Sequence, residues 1–184
     1  MIGIDEVGRG CWAGPLLVVA ARQVGELSPL LADSKVLSKK KRQALMHPIE
    51  QTCQLGEGWV EPAEIDALGL TAAMRLAVKR ALQALDAQPN EPIIMDGNFN
   101  YCPAQYLSVA CVVDADADYP IVSAASIYAK VKRDQFMTDL AVTTPGYGFE
   151  KHVGYGTKAH IDALKKLGVS SNHRKSYKPI QALL

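Results

Sequence analysis

Gly3-Ile4-Asp5-Glu6-Val7-Gly8-Arg9-Gly10 sets two adjacent acids at the end of an apolar strand and follows them with an arginine between glycines. Carboxylates bind hard divalent cations through oxygen, and open backbone N–H groups with a guanidinium fork suit a phosphate or a sugar edge. Taken alone the stretch is equally an ordinary strand end and turn. Two later segments repeat the pattern: Ile93-Ile94-Met95-Asp96-Gly97-Asn98, and Val109-Ala110-Cys111-Val112-Val113 running into Asp114 and Asp116. Strand-end acids from separate segments can meet in one site, which points to metal-dependent phosphodiester chemistry.

Working outward, Ile2 to Asp5 and Leu16 to Arg22 read as strands of a hairpin whose loop exceeds two residues, with Gln54 to Glu61 as a third strand. Ser38 caps a helix running through His47, with Pro48 as its stop. Leu70, Ala73, Met74, Ala77, Val78, Ala81, Leu82 and Leu85 recur at helical spacing. Pro92 to Asp96 and Leu107 to Asp114 read as further strands, the second apolar enough to be buried on both faces. Pro120 to Ala141 reads as a long helix carrying Ser123, Ser126, Lys130 and Asp134 on one polar stripe. Thr157 to Leu167 forms a last helix ended by Gly168. Three strands and then helix-strand-helix-strand-helix fit an α/β fold with a sheet of mixed pairing.

The 184 residues are 48% hydrophobic and carry a formal charge of +1, enough for one well-buried core. From Lys151 to Leu184 there are seven Lys and Arg and a single acid, Asp162. A basic end facing an acidic centre suits a polyanion held against a metal site. Cys11, Cys53, Cys102 and Cys111 show no CxxC spacing, and His47, His152, His160 and His173 no zinc pattern, so reduced thiols in a cytoplasmic protein are expected. The apolar run from Pro15 stops at Arg22, so neither a signal peptide nor a membrane span is expected.

Together these residues resemble ribonuclease HII, of the type 2 ribonuclease H family. The resemblance covers nearly the whole chain: Asp5 to Gly10, Asp33-Ser34-Lys35, Asp96-Gly97-Asn98, Ser123-Ala124-Ala125-Ser126-Ile127 leading to Lys130 and Arg133-Asp134, Gly154-Tyr155, and His173-Arg174-Lys175-Ser176-Tyr177. Arginine at position 9 favours type HII over type HIII, which usually has lysine there and an added N-terminal domain. Cys11-Trp12 departs from the proline and smaller apolar residue common in the family, a departure expected to bear on the loop's fit to substrate.

The resemblance implies an RNase H-like fold, a mixed five-stranded sheet flanked by helices. Residues 1–145 would form the catalytic domain, and 146–184 a small helical, basic C-terminal segment packed on it. It implies a catalytic metal site of Asp5, Glu6, Asp96 and Asp116 for Mg²⁺ or Mn²⁺, two ions at the reacting phosphate. Asp116 is preferred to Asp114 and Asp118 because it precedes Ser123 by the family's spacing. Gly8, Arg9 and Gly10 with Tyr155 would sense the 2'-hydroxyl, the group that distinguishes RNA from DNA. Lys35 would contact phosphate, while Ser34, Asn98, Ser123, Lys130, Asp134 and Arg174 would support the site or the backbone. For Asp134 a plain helix ion pair stays equally open.

The implied activity is cleavage of the RNA strand of RNA–DNA hybrids, and nicking 5' of single ribonucleotides in duplex DNA, leaving 3'-hydroxyl and 5'-phosphate ends. A non-catalytic nucleic-acid-binding module and an HIII-like hybrid nuclease are the rivals. A monomer is expected. Gln181-Ala182-Leu183-Leu184 lacks the paired aromatics that would argue for a sliding-clamp contact.

Overall fold

The computed structural model describes residues 1–31 and 37–184. Five strands form one sheet in the order β3-β2-β1-β4-β5: β1 (Ile2–Val7), β2 (Leu16–Gln23), β3 (Cys53–Val60), β4 (Ile93–Asp96) and β5 (Val109–Val112). β1 pairs antiparallel with β2 and parallel with β4, so the pairing is mixed and β1 is central.

Strand alternation builds two cores at once. Along β2, Leu16, Val18 and Ala20 enter one apolar cluster and Leu17, Val19 and Ala21 the other. The first cluster is closed by α3 (Leu70–Ala84), whose Ala77 and Ala81 lie so close to β3 that Gly56 and Gly58 leave no space for a Cβ. The second is closed by α1 (Lys39–Thr52) and α5 (Pro120–Thr143). A Cβ on Gly3 would lie 2.6 Å from the Ile121 carbonyl carbon, so α5 crosses directly over β1. Asp5, two residues along on the same face, is thereby turned toward α5.

The remaining helices are short: α2 (Pro62–Leu68), α4 (Ala115–Asp118), α6 (Phe149–His152), α7 (Lys158–Leu167) and α8 (Lys178–Gln181). A third cluster joins Tyr147, Phe149, Leu164 and Ile180 to Ala13 and Met137, seating α6 to α8 against the end of α5 and the loop after β1. Among the described residues no helix is long and apolar enough to cross a membrane.

Several expectations need correction. α1 runs through Pro48 to Thr52, held by the buried Leu45 and Ile49 four residues apart and by the Thr52 hydroxyl donating to the Pro48 carbonyl. β5 is an edge strand, so it is only partly covered, and Leu107 and Val113 beside it are largely exposed. No helix lies between β4 and β5; residues 97–108 link these parallel neighbours. The first helix falls between β2 and β3, so the three-strand start is broken. α2 escaped notice although Pro62 opens it and Glu61 and Glu64 form a capping box.

Candidate active site

The register of the central pair, Ile4 opposite Met95, brings Asp5 beside Asp96 at the end of the next strand. The Asp96 Oδ1 accepts from the Ala115 N–H at 2.8 Å, tying the turn that carries Asp116 to the same edge. Asp116 is 4% exposed, and the buried Ser123 hydroxyl donates to its carbonyl. Asp5, Glu6 and Asp96 thus lie at the carboxyl edge of the β1 and β4 pair, and the Asp96 bond to Ala115 ties in the turn that carries Asp116, which Ser123 sets.

Charge accumulates there. Burial pushes the Asp5 carboxyl up to about 7; the Glu6 and Asp96 charges push the same way, against hydrogen bonds from Ser126 and the Glu6 N–H. Glu6 is also raised, first by burial and then by Asp96, with Arg9 opposing. Each of these three carboxylates has turned to a donor of the protein. Asp5 Oδ1 accepts from the Glu6 N–H at 2.7 Å, Glu6 Oε1 lies 3.7 Å from Arg9 Nη1, and Asp96 takes the Ala115 N–H. Among the described residues no three His, Cys, Asp or Glu side chains converge to hold a metal as they stand. The donor set itself fits a hard divalent cation: oxygen ligands only, with the raised Asp5 and Glu6 carboxyls relieved by positive charge.

The loop after β1 forms the other wall. Gly8 takes φ +89°, and a Cβ there would strike the Arg133 guanidinium. Arg9, half exposed, reaches back to Glu6 and to the Tyr101 hydroxyl at 3.4 Å. Buried Arg133 donates to the carbonyls of Pro15 (2.8 Å), Val153 (2.9 Å) and Ala13 (3.2 Å). Arg174, likewise fully buried, donates to Gly14 (2.9 Å from Nη2) and Arg9 (3.1 Å), and the Tyr177 hydroxyl adds a bond to Arg9 at 2.8 Å. The Gly154 carbonyl accepts from the Trp12 N–H at 2.8 Å, which brings Tyr155 against the loop. The Tyr155 phenol is raised by burial and bonds Cys11, the residue after Gly10. Gly8, Arg9, Gly10 and Tyr155 are therefore brought together. Trp12 is an internal wedge, its ring against Gly156 and 5.9 Å from the His160 ring.

Of the two roles expected for Arg174, support of the site and contact with a phosphate, its geometry suits the first: its donors go to the Gly14 and Arg9 carbonyls and the Tyr177 hydroxyl, so it shapes the loop from within. The segment around it is pinned to the domain, since the Lys175 and Ser176 N–H groups both donate to Asp66 at 2.8 Å. Lys130 pairs with Asp134 at 2.7 Å on α5, and Asn98 is exposed in the loop after Asp96. Ser34 and Lys35 lie outside the described residues. Arg133 and Tyr101 were missed as site residues; an arginine on a helix gives no sign in sequence that it will be buried.

The family model described as Ribonuclease HII matches residues 2–180. A ribonuclease HII of Jannaschia sp. (strain CCS1) is 43% identical over 99% of this chain and 91% of its own length. That of Ralstonia nicotianae is 41% identical over 100% and 79%. The ribonuclease HII of Archaeoglobus fulgidus, solved in a complex with PCNA, superposes with a TM-score of 0.79 at 27% identity, covering 96% of this chain and 94% of that one. Bst-RNase HIII in complex with Mn²⁺ gives 0.71 at 20% identity, with 98% and 67% covered, a likeness of fold. Matched from its second residue to within α8, by a family model and by relatives aligned over most of their own length, the chain belongs to the ribonuclease HII family of RNase H-type endonucleases.

Proposed function

We propose that this ribonuclease cleaves the RNA strand of RNA–DNA hybrids and nicks duplex DNA on the 5' side of a single ribonucleotide. Asp5, Glu6, Asp96 and Asp116 would hold two divalent cations, Mg²⁺ or Mn²⁺. The observation that carries the reading is the Asp5 carboxyl, pushed up to about 7 by burial and by Glu6 and Asp96, directly beside a loop carrying Arg9. When bound, the cations supply an activated water and positive charge at the departing 3'-oxygen. The chain's own groups hold the substrate. Arg9 offers its exposed guanidinium to the strand, Gly8 and Gly10 let the backbone approach it, and Tyr155 presents its ring beside Cys11. Water adds to phosphorus in line as the bond to the 3'-oxygen breaks, leaving 3'-hydroxyl and 5'-phosphate ends. In this reading residues 1–145 carry the acids, while 146–184 brace the sensing loop through the shared third cluster.

The test is cleavage of a labelled duplex with one ribonucleotide, and of an all-RNA hybrid, in Mg²⁺ and again with EDTA. Metal-dependent nicking 5' of the ribonucleotide is expected. Cleavage of the hybrid alone would favour HIII-like activity, and binding without cleavage the non-catalytic module. The Archaeoglobus protein was solved with PCNA. A sliding clamp is therefore a partner to test by co-elution.

A further inference from the structure

Three histidines from different segments meet behind the Tyr155 loop. His152 ends α6, His160 lies in α7, and His173 forms an isolated bridge with Ala13. The His152 and His160 rings stack at 4.4 Å between centroids, and His160 Nε2 lies 3.1 Å from His173 Nε2. All three are buried, and the active-site chemistry uses none of them.

Their partners decide where each proton sits. The Ser170 N–H donates to His173 Nδ1 at 3.0 Å, so that nitrogen is an acceptor and a neutral His173 carries its hydrogen on Nε2. His173 Nε2 therefore donates to His160 Nε2, which must accept, placing the His160 hydrogen on Nδ1. That atom faces the Tyr155 carbonyl at 2.9 Å. By the same reasoning the Gly154 N–H donates to His152 Nδ1 at 3.3 Å, and His152 Nε2 donates to the Tyr147 carbonyl at 2.8 Å. Burial, with the neighbouring histidines adding to it, holds His160 below its ordinary value and His173 at about 4, so both are neutral near pH 7.

The backbone that these rings grip is strained. Val153 is β-branched yet takes φ +46°, followed by Gly154 at +90°. Such a conformation persists only where its surroundings over-determine it. Here Arg133 holds the Val153 carbonyl, His152 the Gly154 N–H and His160 the Tyr155 carbonyl.

We infer that His173 and His160 form a one-directional hydrogen-bond relay, from the Ser170 N–H to the Tyr155 carbonyl, which positions Tyr155 and so sets the preference for a lone ribonucleotide over a uniform hybrid. The two are positioning residues, acting through Tyr155, and the inference rests on the proposed role of that tyrosine.

Two measurements test it. The first reads imidazole nitrogens by long-range ¹H–¹⁵N NMR of the intact protein: the Nδ1–H form is expected for His160 and Nε2–H for His152 and His173. An Nε2–H His160 would overturn the relay whatever Tyr155 does. The second compares kcat/KM on the single-ribonucleotide duplex and on the hybrid. His160→Phe keeps ring bulk but removes both bonds, and should lower the first about tenfold with little change in the second. His160→Gln, which can still donate and accept, should restore most of that ratio. Tyr155→Ala should lose the same ratio, and His160→Phe in that background should add nothing. Equal loss on both substrates, failure of His160→Gln to rescue, or full additivity would overturn the inference. If Tyr155→Ala leaves the ratio unchanged while the tautomers are as assigned, the role given to Tyr155 fails and the specificity claim falls with it, the relay itself surviving as a brace.

Discussion

The two walls of the active site are built on opposite electrostatic terms. On the acid wall Asp5, Glu6 and Asp96 crowd together at the end of two paired strands, where burial and neighbouring charge oppose the ionisation of Asp5 and Glu6. On the loop wall Arg133 and Arg174 spend their donors on backbone carbonyls, and His152, His160 and His173 are tied into directed hydrogen bonds. One wall is short of a counter-charge; the other is dense with satisfied bonds. The sheet holds groups that repel one another, and the loop wall keeps a strained backbone still, so function and stability should separate on the first and coincide on the second.

The largest expected break in that contrast is Asp5→Asn. Hybrid cleavage in Mg²⁺ should fall by roughly 10³-fold or more, since charge stabilisation at a phosphoryl centre carries effects of that size. The metal-free protein should melt no lower, and higher at pH 8, because a buried charge has gone. Full hydrolysis by this variant would remove Asp5 from the metal site. Arg133→Met should do the reverse, costing about 3 kcal/mol because the carbonyls of Pro15, Ala13 and Val153 lose their donor in the interior. At roughly 2–4 °C per kcal/mol for a chain of this size, thermal denaturation should show a drop of about 10 °C. An unchanged melting temperature would mean that the loop wall is held by something else.

The walls should also titrate with opposite signs. Asp5 is raised from 3.8 to about 7, so in the metal-free protein its native state favours the proton. Its contribution to stability is fully present below 3.8 and is lost as pH rises through 7. His173 is lowered from 6.5 to about 4 because its burial disfavours the cation. Its contribution is fully present above 6.5 and is lost as pH falls toward 4. Each changes stability by about 1.4 kcal/mol per pH unit with opposite sign, so between pH 4 and 6.5 the two slopes largely cancel. Chemical denaturation across that range in EDTA should therefore be nearly flat in the parent. Asp5→Asn should lose stability as the solution is acidified, and His173→Gln should lose it as pH is raised. Parallel slopes in the two variants would refute the contrast.

The two walls were not equally legible in the chain. Asp5 and Asp96 could be read because a charge at the end of an apolar run contradicts its surroundings, and the contradiction is local in sequence. Asp116 needed the family's spacing to Ser123, since Asp114 and Asp118 are chemically identical neighbours. The helix through Pro48 was misread because the buried Leu45 and Ile49 outweigh one lost backbone bond, and that burial comes from α5 and the sheet. β5 was misread because apolar composition does not distinguish a central strand from an edge. Arg133 and Arg174 were invisible as braces: their partners are carbonyls some 120 and 160 residues away in the chain, and a carbonyl leaves no trace in sequence. The histidines at 152, 160 and 173 likewise bond mainly to backbone, so no ligand spacing marks them.

The smallest effect sharpens the boundary between the walls. Lys130 and Asp134 form an i,i+4 pair at 2.7 Å on α5, with the lysine side chain 29% exposed. The aspartate side is 12% exposed, but Arg133 also attracts it, so Lys130→Met should cost no more than about 1 kcal/mol and barely move the melting temperature. Asp134 keeps a second source of positive charge, because its field also acts on Arg133. Losing Lys130 therefore leaves Asp134 the attraction of Arg133 and the loop wall intact. If Asp134 is only a helix partner, cleavage in Mg²⁺ should change by less than about threefold, within what such a pair is worth. A tenfold fall at constant stability would instead place the Lys130–Asp134 pair on the acid wall.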